Sequence, residues 1–131
     1  MDGLITQAST FGAKETMDRL EADVRKKGMT VFARVDHAAG AAEVGLELRA
    51  TELLIFGNAR VGTPLMQQDQ TIGLDLPLKM LAWQDAEGHG FLSYYDPARL
   101  LGPHGIAAEN NSVGTMTTVL AALAESATGG A

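Results

Sequence analysis

The sequence predicts a single α+β domain, a mostly antiparallel sheet of about four strands with helices packed on one face. Three observations lead there. Residues 11–27 and 113–127 repeat apolar side chains at helical spacing. Short alternating or apolar runs at 29–37, 51–56, 76–85 and 91–96 read as strands. Only Ala86-Glu87-Gly88-His89-Gly90 separates the last two runs, a hairpin connection that pairs neighbours antiparallel.

In the first helix Ala13, Met17, Leu20 and Val24 form the apolar face. Lys14–Asp18 and Glu21–Arg25 are opposite charges four residues apart on its outer surface. Ser9 or Thr10 is placed to cap its start and Gly28 to end it. In "MTVFARVDH" (29–37), Val31, Ala33 and Val35 face one way, and Phe32, Arg34 and Asp36 the other, with Arg34 and Asp36 placed to pair. "AAGAAEVGLEL" (38–48) has the Ala content for one or two helical turns, weakened by Gly40 and Gly45.

Thr51 to Phe56 is the second strand, and a short helix is expected within 59–70. Pro77 cannot donate to a ladder, so it belongs at the start of the 76–85 strand or on an edge. "FLSYYD" (91–96) returns, and "DPARLLG" (96–102) allows a helical turn with Pro97 at its first position. In the last helix Val113, Met116, Leu120, Leu123 and Ala127 share a face behind a cap from Asn110, Asn111 or Ser112. The ends, 1–9 and 128–131, are expected to be flexible, leaving a core of 10–125 within one domain, 1–131.

Composition narrows function. The 131 residues are 46% hydrophobic and 20% charged, the balance of a globular domain large enough to bury its own core. There is no cysteine, which excludes disulfides, thiolate catalysis and iron–sulfur ligation. Net charge is −6, and the one basic cluster, Arg25-Lys26-Lys27, sits where cations complement a helix C-terminus, so no nucleic-acid partner is expected. No apolar run is long enough for a membrane span and no signal peptide is evident, so the expected setting is cytoplasmic, without a membrane partner. No metal and no cofactor is predicted.

The stretch "ELLIFGNARVGTPLM" (52–66) approaches a phosphate-binding loop: a strand, Gly57, four residues, Gly62 and then Thr63. A phosphate loop carries lysine after its second glycine, and here Thr63-Pro64 follows instead. The structural reading is a sharp turn at Gly57, a cap at Asn58 and a close backbone passage at Gly62. A weaker functional reading survives, because N–H groups at such a helix start form a mild anion site.

Phe56-Gly57-Asn58, then Gly62-Thr63-Pro64-Leu65-Met66, then Leu76-Pro77-Leu78-Lys79 with Asp85, and upstream Asp36-His37-Ala38-Ala39, together resemble the DUF302 family over roughly residues 10–125. Ala59 stands where that family often has proline. The resemblance implies an α+β domain with a TATA-binding-protein-like layout, often homodimeric. It implies no catalytic residue, since the family's function is not established. The fold analogy to a DNA binder transfers no activity.

Among candidate chemical groups, His37 follows Asp36 where a strand ends, whereas His89 and His104 lie in loops and are expected to be exposed. No histidines have the spacing of a metal pair. Lys79, within an apolar strand, is either a pocket amine or the mark of an edge strand. No serine lies in a nucleophile elbow. Two functions follow. The preferred one is a non-catalytic homodimeric module that binds a small anionic or amphipathic ligand through Asn58, Thr63, His37 and Lys79. The alternative is a small enzyme in which His37 works with Asp36 or Asp85 as acid–base groups.

Overall fold

In the computed structural model, which describes residues 3–130, five antiparallel strands form one sheet in the order β1-β5-β4-β3-β2. The strands are β1 (Leu4–Ser9), β2 (Thr30–Asp36), β3 (Thr51–Gly57), β4 (Leu78–Gln84) and β5 (Gly90–Tyr95). The helices are α1 (Ala13–Lys26), α2 (His37–Glu43), α3 (Ala59–Gln68), α4 (Leu101–His104) and α5 (Asn111–Thr128), with 3-10 turns at Gln70–Leu74 and Pro97–Leu100.

The sheet therefore has one strand more than the sequence predicted. The extra strand is β1, in the segment expected to be flexible. Its side chains are polar or exposed and carry no apolar alternation. It is held by backbone pairing to β5 from Leu4↔Tyr95 to Ser9↔Gly90, which composition does not reveal. The other end is equally tied. Thr128 is buried, and its carbonyl accepts from Thr10 N at 3.0 Å. Ala131, in the expected tail, lies outside the described residues.

Helices α1 and α5 lie together on one face of the sheet. Met17, Leu20, Val24, Leu54, Phe56, Met80, Leu92 and Leu123 form the main core between the layers. A second core lies under α3 and the 3-10 turns, built from Leu65, Ile72, Leu100, Ile106, Val113 and Met116. Leu78 packs against both.

The cap of α1 is tertiary. The N-cap is Gly12, with no side-chain bond, and Ala13 N donates instead to Gln84 Oε1 of β4 at 2.8 Å. Ser9, expected to cap, accepts from Phe11 N and hydrogen-bonds Thr16. The last helix starts as expected, with Asn110 Oδ1 accepting from Ser112 N and Val113 N.

Strand β2 departs from simple alternation. A bulge between Val31 and Ala33 ejects Phe32 from the ladder, so Val31 packs on the main core while Ala33 and Val35 pair with Ile55 and Leu53 on the other face. A one-residue offset turns every later side chain over. Arg34 then points under α1 and bonds Glu52 (2.8 Å), Asp18 (2.8 Å) and Glu21 (3.2 Å) rather than Asp36. These carboxylates raise the Arg34 pKa against the opposing effect of burial. The carboxylate of Asp36 accepts from Ala39 N and caps α2. Lys79 is not on an edge, because β4 is the middle strand; it faces the helix-free side opposite Ile55.

His104 was expected to be exposed, but its side chain retains only 11% of its exposure. Its Nδ1 lies 2.7 Å from Asp69 Oδ2 and its Nε2 3.0 Å from Asp75 Oδ2. Both contacts are hydrogen bonds only when both ring nitrogens carry protons. The resulting latch pins the 3-10 turn to α4. Asp75 and Asp69 hold the His104 pKa above its ordinary 6.5. The Thr71 hydroxyl, then His104, holds Asp69 below its ordinary 3.8.

Two predictions follow from this architecture. A Cβ on Gly90 would collide with the carbonyl oxygen of Phe11, a backbone atom with no room to yield. Gly90→Ala should cost about 3 kcal/mol or more, the upper end of overpacking penalties, measured by urea denaturation; an unchanged midpoint would contradict the packing. The latch sets a pH window. His104 binds its proton more tightly when folded, so its stabilisation is complete below pH 6.5 and is lost as pH rises through the higher folded value. Asp69 gives the opposite limb, complete above pH 3.8 and lost as pH falls through its lower folded value. Melting temperature should therefore decline from pH 6.5 upward, and less so in His104→Gln; parallel profiles would remove the latch.

Candidate functional site

Strand β3 ends at Gly57, and Asn58 turns the chain into α3. Asn58 Oδ1 accepts from Arg60 N at 2.9 Å, and its carbonyl accepts from Val61 N and Gly62 N. This is the N-cap read from the sequence, and it uses the side-chain oxygen locally.

Beside this turn lies a cavity of about 350 Å³ that opens to solvent. It sits where the two cores meet. Met29, Leu78 and Val119 come from the main core side, and Val61, Met66 and Leu76 from the second. Phe32, thrown out by the bulge, forms part of its wall and is 60% exposed. Gly57 and Gly62, the pair that suggested a phosphate loop, both line it. A Cβ on Gly62 would stand 3.5 Å from Leu76 Cδ1 and 3.9 Å from Met66 Cε, and one on Gly57 3.5 Å from Pro77 Cβ. These are ordinary contacts, so the glycines leave space that a side chain would fill. The glycine spacing makes an apolar recess, not a phosphate cradle.

Polar groups are few and lie among Asn58, Thr63, Thr115 and Lys27. Lys27 is the only charged residue of the lining among the described residues. Its ammonium is 3.3 Å from Asp23, and its side chain is 42% exposed. Three methionines, Met29, Met66 and Met116, make the walls adaptable.

The sequence candidates separate into groups. Asn58 and Thr63 line the cavity. His37 does not; it is exposed at the start of α2. Thr30 pairs with Gly57 and Asp36 with Glu52, so His37 and Asn58 lie at opposite ends of β2, about 20 Å apart at the usual strand rise. Lys79 folds back onto the carbonyls of Pro77 (3.1 Å) and Asp75 (3.3 Å) and borders a separate, smaller cleft with Arg99. Asp85 accepts from Glu87 N and His89 N within its own turn, with His89 Nδ1 3.3 Å from its other oxygen. Asp85, Glu87 and His89 bring one ligand atom each within 4.8 Å of one another, an alternating spacing that the sequence reading passed over. Lys27, Phe32 and Met116 also line the cavity, although their sequence context points only to a helix end, a strand face and a helix core.

The family described as "Domain of unknown function DUF302" matches residues 5–125. The "Fluoride-specific ion channel FluC 1" of Brucella suis biovar 1 (strain 1330) is 49% identical over 109 residues, which is 83% of this chain and 43% of that protein. The "Fluoride-specific ion channel FluC 2" of Brucella melitensis biotype 1 (strain ATCC 23456 / CCUG 17765 / NCTC 10094 / 16M) is likewise 49% identical over 109 residues, 83% of this chain and 40% of that one. The chain thus spans about two-fifths of the length of these curated relatives. No helix among the described residues is long and apolar enough to cross a membrane. The crystal structure of an uncharacterized conserved protein DUF302 from Bacillus stearothermophilus superposes with a TM-score of 0.85 over 97% of this chain and 99% of that one, at 21% identity, which establishes the fold. By the matched residues and the shared architecture, the chain belongs to the DUF302 family.

Proposed function

We propose that this domain is a non-catalytic module that binds an amphipathic small molecule in the cavity between its two cores. The observation that supports this is the cavity itself: apolar walls, two glycines that keep it open, and polar groups gathered among Asn58, Thr63, Thr115 and Lys27. Ligand sites commonly have this make-up, with an apolar body and a few polar groups that orient the ligand. The acid–base alternative has no comparable support, because Asp36 caps α2 and Asp85 serves its own turn.

The setting proposed is cytoplasmic, beside a membrane channel. The curated relatives carry the name of fluoride-specific ion channels, and this chain corresponds to a minor part of their length. Fluoride itself is a poor occupant of the cavity, since a small hydrated anion loses its water there without gaining a full set of donors. The helix-free face of the sheet supports a second copy as partner. It carries Val35, Leu53, Ile55, Leu81, Trp83 and Phe91, of which Val35 is exposed and the others are partly exposed.

A thermal-shift panel of amphiphiles, metabolites and small anions, fluoride included, tests the ligand reading, because binding to the folded state raises the melting temperature. Gly62 lies inside α3, so Gly62→Ala should stabilise the free protein by about 1 kcal/mol, and Gly62→Leu should fill the cavity and remove the amphiphile shift. No shift across the panel, or a shift that survives Gly62→Leu, would sink the proposal. For the dimer, sedimentation velocity should show a two-chain species that Leu81→Arg dissociates; a monomer at every concentration rejects that interface.

A further inference from the structure

We infer that the ligand of this cavity is a single-chain aliphatic carboxylate, or the equivalent anionic end of a single-tailed lipid. The inference rests on the cavity-binding reading above and adds the class of molecule. Two features of the lining select it.

The first is the shape of the apolar demand. About 350 Å³ is roughly the volume of a dozen water molecules, enough for a flexible chain of about eight to ten methylene groups. Most of the wall is methionine and aliphatic side chain, with Phe32 the one aromatic ring among the described lining residues, so no pair of rings is there to stack on a heterocycle. Met29, Met66 and Met116 adapt to a chain without a fixed outline. Phe32 at the wall is 60% exposed, apolar area that a chain would cover.

The second is charge. Although the protein carries −6, Lys27 is the only ionised group of the lining among the described residues, and no carboxylate lines the cavity. Its tie to Asp23 is long, at 3.3 and 3.4 Å, and Lys27 has three donor hydrogens, so it can accept a second anion without breaking that tie. An anionic head therefore finds a cation at the cavity, and a cationic head meets repulsion.

The test is calorimetric titration of hexanoate, octanoate and decanoate, with decanol and decyltrimethylammonium as head-group controls. Affinity for carboxylates should rise about fourfold per added methylene until the cavity is full. Decyltrimethylammonium should bind least. Lys27→Gln should weaken decanoate about two- to fivefold, the range of an exposed ion pair, and leave decanol unchanged. Added salt should weaken decanoate but not decanol. If decanol and decyltrimethylammonium match decanoate and Lys27→Gln changes nothing, the carboxylate inference is wrong while the cavity reading stands. If no amphiphile binds, or binding persists in Gly62→Leu, the cavity reading itself falls. Sedimentation with phosphatidylcholine vesicles that carry lysophosphatidylglycerol, a single-tailed anionic lipid, separates the sources. Capture that decanoate competes away supports a membrane lipid as the donor of the chain, and decanoate binding without capture supports the free acid.

Discussion

The contact of α1 and α5, laid side by side on one face of the sheet, is the constraint from which the other features of this molecule descend. Met17, Leu20 and Val24 on one helix and Leu120, Leu123 and Ala127 on the other leave a single apolar layer against Leu54, Phe56, Met80 and Leu92. Everything that enters this layer has to be paired. Arg34 is tolerated under α1 because three carboxylates meet it, and the first amide of α1 is satisfied by Gln84 from across the sheet. The close passage of Phe11 over Gly90 is the cost of setting α1 down so tightly at its start.

The two helices do not cover the whole face. Beyond Leu78 the surface is taken over by α3, the 3-10 turn and α4, which form their own smaller core. The two cores share α5 and Leu78, and the cavity lies where they adjoin. Its chemistry follows from its position. The apolar residues facing the join, such as Met29, Val119, Met66 and Met116, belong to one core or the other, and Lys27 reaches it because α1 ends nearby. The latch of His104 between Asp69 and Asp75 fixes the turn that leads into Leu76 and Pro77, so one wall of the recess is anchored by charge as well as by the packing of Ile72 and Leu76.

Elements whose side chains carry a period were legible in the sequence. Both long helices, β2, β3 and the β4–β5 hairpin emerge from apolar spacing, and a cap is read at Asn58 and another among Asn110, Asn111 and Ser112, of which Asn110 serves. What was not legible depends on partners distant in the chain. Strand β1 exists through backbone bonds to β5, which any side chain permits. The bulge at Phe32 reverses a face that strict alternation assigns the other way. His104 finds its two aspartates 35 and 29 positions away. Of the site, Asn58 and Thr63 were found because turn chemistry is local. Lys27, Phe32 and Met116 come from three separate elements and converge only in space. The separation of His37 from Asn58 is likewise a matter of register, which a linear pattern does not supply.

The bulge in β2 has a consequence of another kind. Strand β2 is a rim of the sheet, and a flat rim is a row of free amides and carbonyls on which a neighbouring molecule can build. The slip between Val31 and Ala33 breaks the spacing of that row midway. A strand from another chain would lose register there within a few residues. The irregularity that leads Phe32 to the cavity thus also blunts this rim against edge-to-edge aggregation, and a substitution that straightened β2 would endanger solubility before it touched stability.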